Sequence, residues 1–85
     1  MTYDNNFFDE KDLIECLNRG CEVEFLYDDK KYSITHTDNE ICITEFYNEE
    51  SERFYTDAHQ AMEYMIGDKQ LKDIIQDMKI IDRSF

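Results

Sequence analysis

The stretch Cys21-Glu22-Val23-Glu24-Phe25-Leu26-Tyr27-Asp28-Asp29-Lys30-Lys31-Tyr32-Ser33-Ile34-Thr35-His36 decides the fold. Cys21, Val23, Phe25 and Tyr27 alternate with Glu22, Glu24 and Leu26. Side chains along a strand point to opposite faces in turn, so this pattern buries one face and solvates an acidic one. Asp28-Asp29-Lys30 interrupts the alternation with residues that favour turns. Tyr32, Ile34 and His36 then alternate with Ser33 and Thr35. The segment reads as an antiparallel hairpin.

Working outward toward the C-terminus, Thr37-Asp38-Asn39-Glu40 is a second turn and Ile41 to Tyr47 a third strand. In that strand Ile41 and Ile43 point one way, Cys42 and Phe46 the other. A strand apolar on both faces is central, lies under a second layer, or leaves an apolar face for a partner. Asn48 to Glu52 reads as an acidic loop and Arg53 to Thr56 as a short fourth strand.

Helical spacing flanks this meander. Asp9 is suited to cap a helix over about residues 10–19, because its carboxylate can accept a free N–H of the first turn. Phe8 and Leu13 are placed for a hydrophobic staple across that cap. Leu13, Ile14 and Leu17 share one face, and Gly20 stands where a left-handed residue ends the helix. After the strands, Asp57 can cap a second helix whose apolar face is Ala58, Ala61, Met62 and Met65, closed by Gly67. Asp68 can cap a third, with Leu71, Ile74, Ile75 and Met78 on one face. Lys79-Ile80-Ile81-Asp82 suits a short terminal strand. The expectation is one α+β domain over residues 1–85, in the order α-β-β-β-β-α-α with that terminal strand. Its helices pack on one face of an antiparallel meander of three to four strands.

Leu17-Asn18-Arg19-Gly20-Cys21-Glu22-Val23-Glu24-Phe25, Lys31-Tyr32-Ser33-Ile34-Thr35 and Gly67-Asp68-Lys69-Gln70-Leu71-Lys72-Asp73-Ile74 resemble segments of small uncharacterised proteins of Gram-positive bacteria and their mobile elements. The shared motifs are a helix stop, a hairpin and a helix start, and the resemblance assigns no functional residue. In size and charge the chain is also similar to acidic anti-CRISPR inhibitors encoded by phages.

Several chemistries find no footing. Three cysteines, Cys16, Cys21 and Cys42, are an odd number without a CxxC, and His36 and His59 stand alone, so neither a zinc site nor a disulfide framework is expected. Met1 to Asp12 has four acids, one lysine and no apolar run, unlike a signal peptide, and the thiols suit a reducing cytoplasm. Gly20 and Gly67 are the only glycines, too few for a phosphate-cradling loop. An EF-hand starting at Asp38 would place Ile43 where glycine is needed. His36 lies on the apolar parity of its strand, which suits a partly buried, hydrogen-bonded side chain, and His59 falls in a helix's first turn. No catalytic residue, metal or cofactor is expected, and the chain reads as non-enzymatic.

Charge and aromatics carry the functional expectation. Nine basic against 21 acidic residues give a net charge of −12. Solubility needs a magnitude of only about 2–8 in a small domain. Direct contact with nucleic acid or anionic membrane is disfavoured, because phosphate affinity comes from clustered Lys and Arg. No apolar run approaches the ~18 residues of a membrane span. A basic protein, including a nucleic-acid-handling enzyme, is the complementary partner. If Phe46 and Phe54 face the core, Tyr47 and Tyr55 face outward among acids. Tyrosine is enriched at interface hot spots. The expected partner-binding residues are Glu22, Glu24, Glu45, Tyr47, Glu49, Glu50, Glu52 and Tyr55, those of an inhibitor or immunity-type DNA mimic. The other reading is a housekeeping interaction protein that forms a homodimer or larger homo-oligomer through an exposed sheet face.

Overall fold

The computed structural model describes Phe7 and residues 9–84. Helix α1 spans Glu10–Asn18. Asp9 caps it as expected, its Oδ1 accepting the Asp12 N–H at 2.9 Å. At the other end Gly20 adopts φ +86°. There the Gly20 N–H donates to Leu17 O at 3.0 Å and the Cys21 N–H to Cys16 O at 3.1 Å. This paired closure satisfies two of the last carbonyls and needs a left-handed residue, which glycine supplies without a Cβ penalty. The staple expected at Phe8 lies outside the described residues.

The chain then forms β1 (Glu22–Tyr27), β2 (Lys30–Thr37), β3 (Glu40–Glu45) and β4 (Asn48–Tyr55). A last strand, β7 (Lys79–Ser84), returns to pair with β1. The antiparallel sheet therefore has five strands in the order β4-β3-β2-β1-β7. The turn between β1 and β2 holds Asp28 and Asp29 at φ 53° and 63°. Val23 faces Ile34 and Phe25 faces Tyr32 across β1 and β2, and Ile34 faces Ile43 across β2 and β3. These side chains form the inner face. It is buried with Leu13, Ile14, Cys16 and Leu17 of α1 in one hydrophobic core. His36, on the same parity, is half-buried, and its Nε2–H donates to Cys21 O at 2.8 Å.

The fold is α+β as expected, but the segment after β4 differs. The second helix, α2, is one turn, Ala58–Ala61, capped by Asp57 through the His59 N–H at 2.6 Å. Gly67 does not close it. It takes φ +67° in the turn between two short strands, β5 (Met65–Ile66) and β6 (Lys69–Gln70). Met65, expected on the helix's apolar face, is 55% exposed.

The third expected helix is absent from the described residues: Leu71–Asp73 forms a 3₁₀ turn and irregular turns follow. Leu71, Ile74, Ile75 and Met78 are nonetheless all buried. The i, i+3, i+4, i+7 spacing identified which residues enter the core. Successive tight turns place those residues inside as well as a helix would. They also let the chain reverse, with the Leu71 N–H bonded to Tyr64 O at 2.7 Å and the Lys72 N–H to Met62 O at 3.1 Å.

The outer face of the sheet presents Glu22, Glu24, Leu26, Lys31, Ser33, Thr35 and Thr44, half-buried or exposed and outside the core cluster. Among the described residues, its apolar positions on the four meander strands are Leu26, Cys42 and Phe54. Cys42 and Phe54 are cross-strand partners, while Leu26 stands apart on β1, so the face expected to be apolar from β3 is a small patch at the β3–β4 edge. No helix of the described residues is long and apolar enough to cross a membrane.

Candidate functional site

The turn between β3 and β4 gathers the largest share of the expected binding residues. Glu45 pairs with Asn48 in the register, so Phe46 and Tyr47 form the turn rather than ending the third strand. β4 starts at Asn48, and the expected acidic loop is strand with a register shift opposite Ile43 and Glu45. Such a bulge puts extra chain on one strand and bends it locally.

Ser51 fills the bend. Its hydroxyl donates to Asn48 O at 2.6 Å and accepts the Glu45 N–H at 2.7 Å. Tyr64, a buried residue of the helical layer, donates its phenol to Ser51 O at 3.0 Å. On the neighbouring strand the Phe46 N–H donates to Lys31 O at 2.8 Å. Arg53 folds its Nη1 onto Glu50 O at 2.9 Å and Glu52 O at 2.7 Å. The turn is thus tied to β2, to the helical layer and to its own strand.

On this scaffold Tyr47 sits at φ 65° with its side chain fully exposed. A bulky residue in the left-handed region is strained, and such strain concentrates at functional positions. Its ring meets that of Phe46 edge to face, with centroids 6.2 Å apart and planes at 70°. Lys31 Nζ lies 4.3 Å from the centroid of the Phe46 ring and 3.4 Å from Glu24 Oε1. A surface concavity of about 440 Å³ opens beside the turn, on the outer face. Glu45, Phe46, Tyr47, Asn48, Glu49 and Glu52 wall it, with Ser33 and Thr44 as its hydroxyl-bearing members.

The eight expected residues therefore divide. Tyr47, Glu49 and Glu52 line this one concavity, and Glu45 borders it from the end of β3, on the strand parity of Ile43 and opposite Tyr32. Glu22 and Glu24 share the outer face, two strands away on β1; a Glu22 carboxylate oxygen accepts the His36 N–H at 3.4 Å. Glu50 is exposed on β4, and its carbonyl rather than its carboxylate is engaged, by Arg53. Tyr55 does not join them. It pairs with Ile41 and packs half-buried against the core, while Phe54 pairs with Cys42 and is 50% exposed on the outer face. The expected parity of the Phe54-Tyr55 pair is reversed. The register of β4 follows Ile41 and Ile43, whose burial dictates which neighbour turns inward. Phe46 is likewise on the outer face, under Lys31, rather than in the core.

Sequence reasoning missed Phe46, Asn48 and the hydroxyl pair Ser33 and Thr44. Their parity beside Glu24 and Cys42 was readable, but the bulge that brings them under the turn was not.

Cys42 is the thiol nearest this turn. Its thiol donates to Glu52 Oε2 at 3.4 Å, and burial and that carboxylate both push its pKa up. A nucleophilic thiol needs the opposite shift. Among the described residues no group of three or more His, Cys, Asp or Glu could hold a metal ion. Comparison with protein-family models, curated proteins and solved structures gives no match.

Proposed function

We propose that the protein is a non-enzymatic acidic binding module, of the inhibitor or immunity type, that covers a basic nucleic-acid-handling surface of a partner protein. The observation that carries this reading is the convergence of Glu49 and Glu52 with the exposed Tyr47 at one rigidly tied turn. Carboxylates along that turn and the outer face substitute for phosphates on a cationic surface. The net charge of −12 steers encounter at long range, and salt weakens it. Tyr47 supplies the low-entropy aromatic contact that charge alone lacks.

The test is capture on the immobilised protein from a bacterial lysate, eluted by salt, followed by kinetics with the captured partner. Reversing Glu49, Glu50 and Glu52 to lysine is expected to lower the association rate at low ionic strength by roughly tenfold or more, within the range of electrostatic steering. DNA is expected to compete. An unchanged association rate in a folded triple variant overturns the assignment to this turn.

Self-association through the outer face is the second reading. It draws on Phe54, half exposed there at the sheet edge. Sedimentation at low micromolar concentration separates the two, since a monomer rejects it.

A further inference from the structure

We infer that the concavity beside the β3–β4 turn is a recognition site for an arginine side chain. This deepens the reading above and rests on it: the acidic surface meets a basic partner, and this is where one guanidinium of that partner seats.

Three observations converge. The first is the aromatic corner. Phe46 and Tyr47 present rings at 70° to each other, and the Tyr47 ring stands clear of the surface. Aromatic faces attract cations through the ring quadrupole, most favourably a flat guanidinium that can also stack. The chain already uses this chemistry once, since the Lys31 ammonium lies 4.3 Å from the Phe46 centroid.

The second is the charge of the lining. No basic residue lines this concavity. Three other surface concavities each include one or more: Arg53 in the second, Lys30 and Lys69 in the third, Lys72 in the fourth. Those can balance their acids internally. Here Glu49 and Glu52 border an opening with no basic residue in its lining, and the nearby Lys31, which lies over Phe46, is paired with Glu24.

The third is size and acceptor layout. A volume of about 440 Å³ lies within the roughly 300–1,000 Å³ of ligand clefts. A guanidinium offers five N–H donors in one plane and needs acceptors around its rim and an apolar surface on its face. The Glu49 and Glu52 carboxylates and the Ser33 and Thr44 hydroxyls supply the rim, and Tyr47 supplies the face. A lysine ammonium has no face to stack, so the site should discriminate between the two cations.

The experiment titrates the isotopically labelled intact protein by NMR, at low salt. The probes are acetyl-Gly-Arg-Gly-Arg-Gly-amide and its lysine counterpart of equal charge. The arginine peptide should shift the amides of Ser33, Thr44 and residues 46–49, and bind roughly three- to fivefold tighter than the lysine peptide. Tyr47→Ala, at an exposed side chain, should erase that preference while circular dichroism stays native. Glu49→Gln with Glu52→Gln should weaken both peptides. Equal, salt-sensitive binding of both peptides, indifferent to Tyr47→Ala, overturns the arginine site and leaves the acidic reading standing. Binding of neither peptide overturns both.

Discussion

Tyr32 and Glu45 stand directly opposite each other across β2 and β3, a phenol facing a carboxylate at the margin of the core. Tyr32 is also stacked on Phe25, with centroids 5.2 Å apart. Burial first, and then the Glu45 charge, push the Tyr32 phenol up to about 12 from an ordinary value of 10.0. Burial pushes Tyr55 and Tyr64 upward as well. A group whose folded pKa is raised favours the protonated form in the native state. Its contribution is complete below pH 10 and is lost as pH rises through about 12. Alkaline unfolding should therefore fall in that window. Tyr32→Phe should move the unfolding midpoint to higher pH, followed by circular dichroism alongside tyrosinate absorbance. A midpoint that does not move refutes the link.

The β1–β2 turn holds two aspartates in the left-handed region. A two-residue hairpin loop with positive φ at both positions prefers Asn-Gly. Asp28→Asn combined with Asp29→Gly should stabilise the domain by about 1 kcal/mol, and raise Tm by roughly 4–8 °C in a chain of this size. Thermal melts monitored by circular dichroism measure it. An unchanged or lower Tm means that the two carboxylates contribute something the dihedral angles do not reveal.

Tyr47 poses the same conformational question with the opposite functional sign. Tyr47→Gly removes a side chain that touches little and relaxes φ 65°, so the turn should gain about 1 kcal/mol in urea denaturation. The same variant should bind a basic partner less tightly. A stability gain paired with a binding loss is the signature of strain retained for recognition. A stability loss means the ring is structural.

Salt offers a fourth check. A domain carrying −12 destabilises itself by repulsion between its acids. The Glu24–Lys31 ion pair is exposed enough to contribute little. Raising sodium chloride from low concentration should increase Tm by screening. A flat or falling curve means the acids are already dispersed or paired.

Much of the architecture was legible in residues whose neighbours in sequence are also their neighbours in space. Val23, Phe25, Tyr32 and Ile34 declare a hairpin because each contact is made across one tight turn. Asp9 and Gly20 declare the ends of α1 because capping is local. Leu71, Ile74, Ile75 and Met78 were legible as core but not as turns, since burial depends on spacing while helix formation depends on competition with the reversal at Tyr64. The site was half legible. Glu45, Tyr47, Glu49 and Glu52 follow from charge beside a turn. Tyr55 went astray because one register decides the parity of every residue in a strand, and that register is fixed across strands by the pairing of Tyr55 with the buried Ile41, which no local pattern encodes.

The pairing of β7 with β1 has a consequence for synthesis. β1 is made early, yet its second neighbour emerges after every other element described. Until Lys79–Ser84 leaves the ribosome, one edge of β1 stays unpaired, and Phe25 lacks the Ile80 that faces it. The nascent chain can fold its meander hairpin by hairpin, but the sheet completes only after this late segment is free. A ribosome stalled before that segment emerges should leave an exposed strand edge for other chains to join.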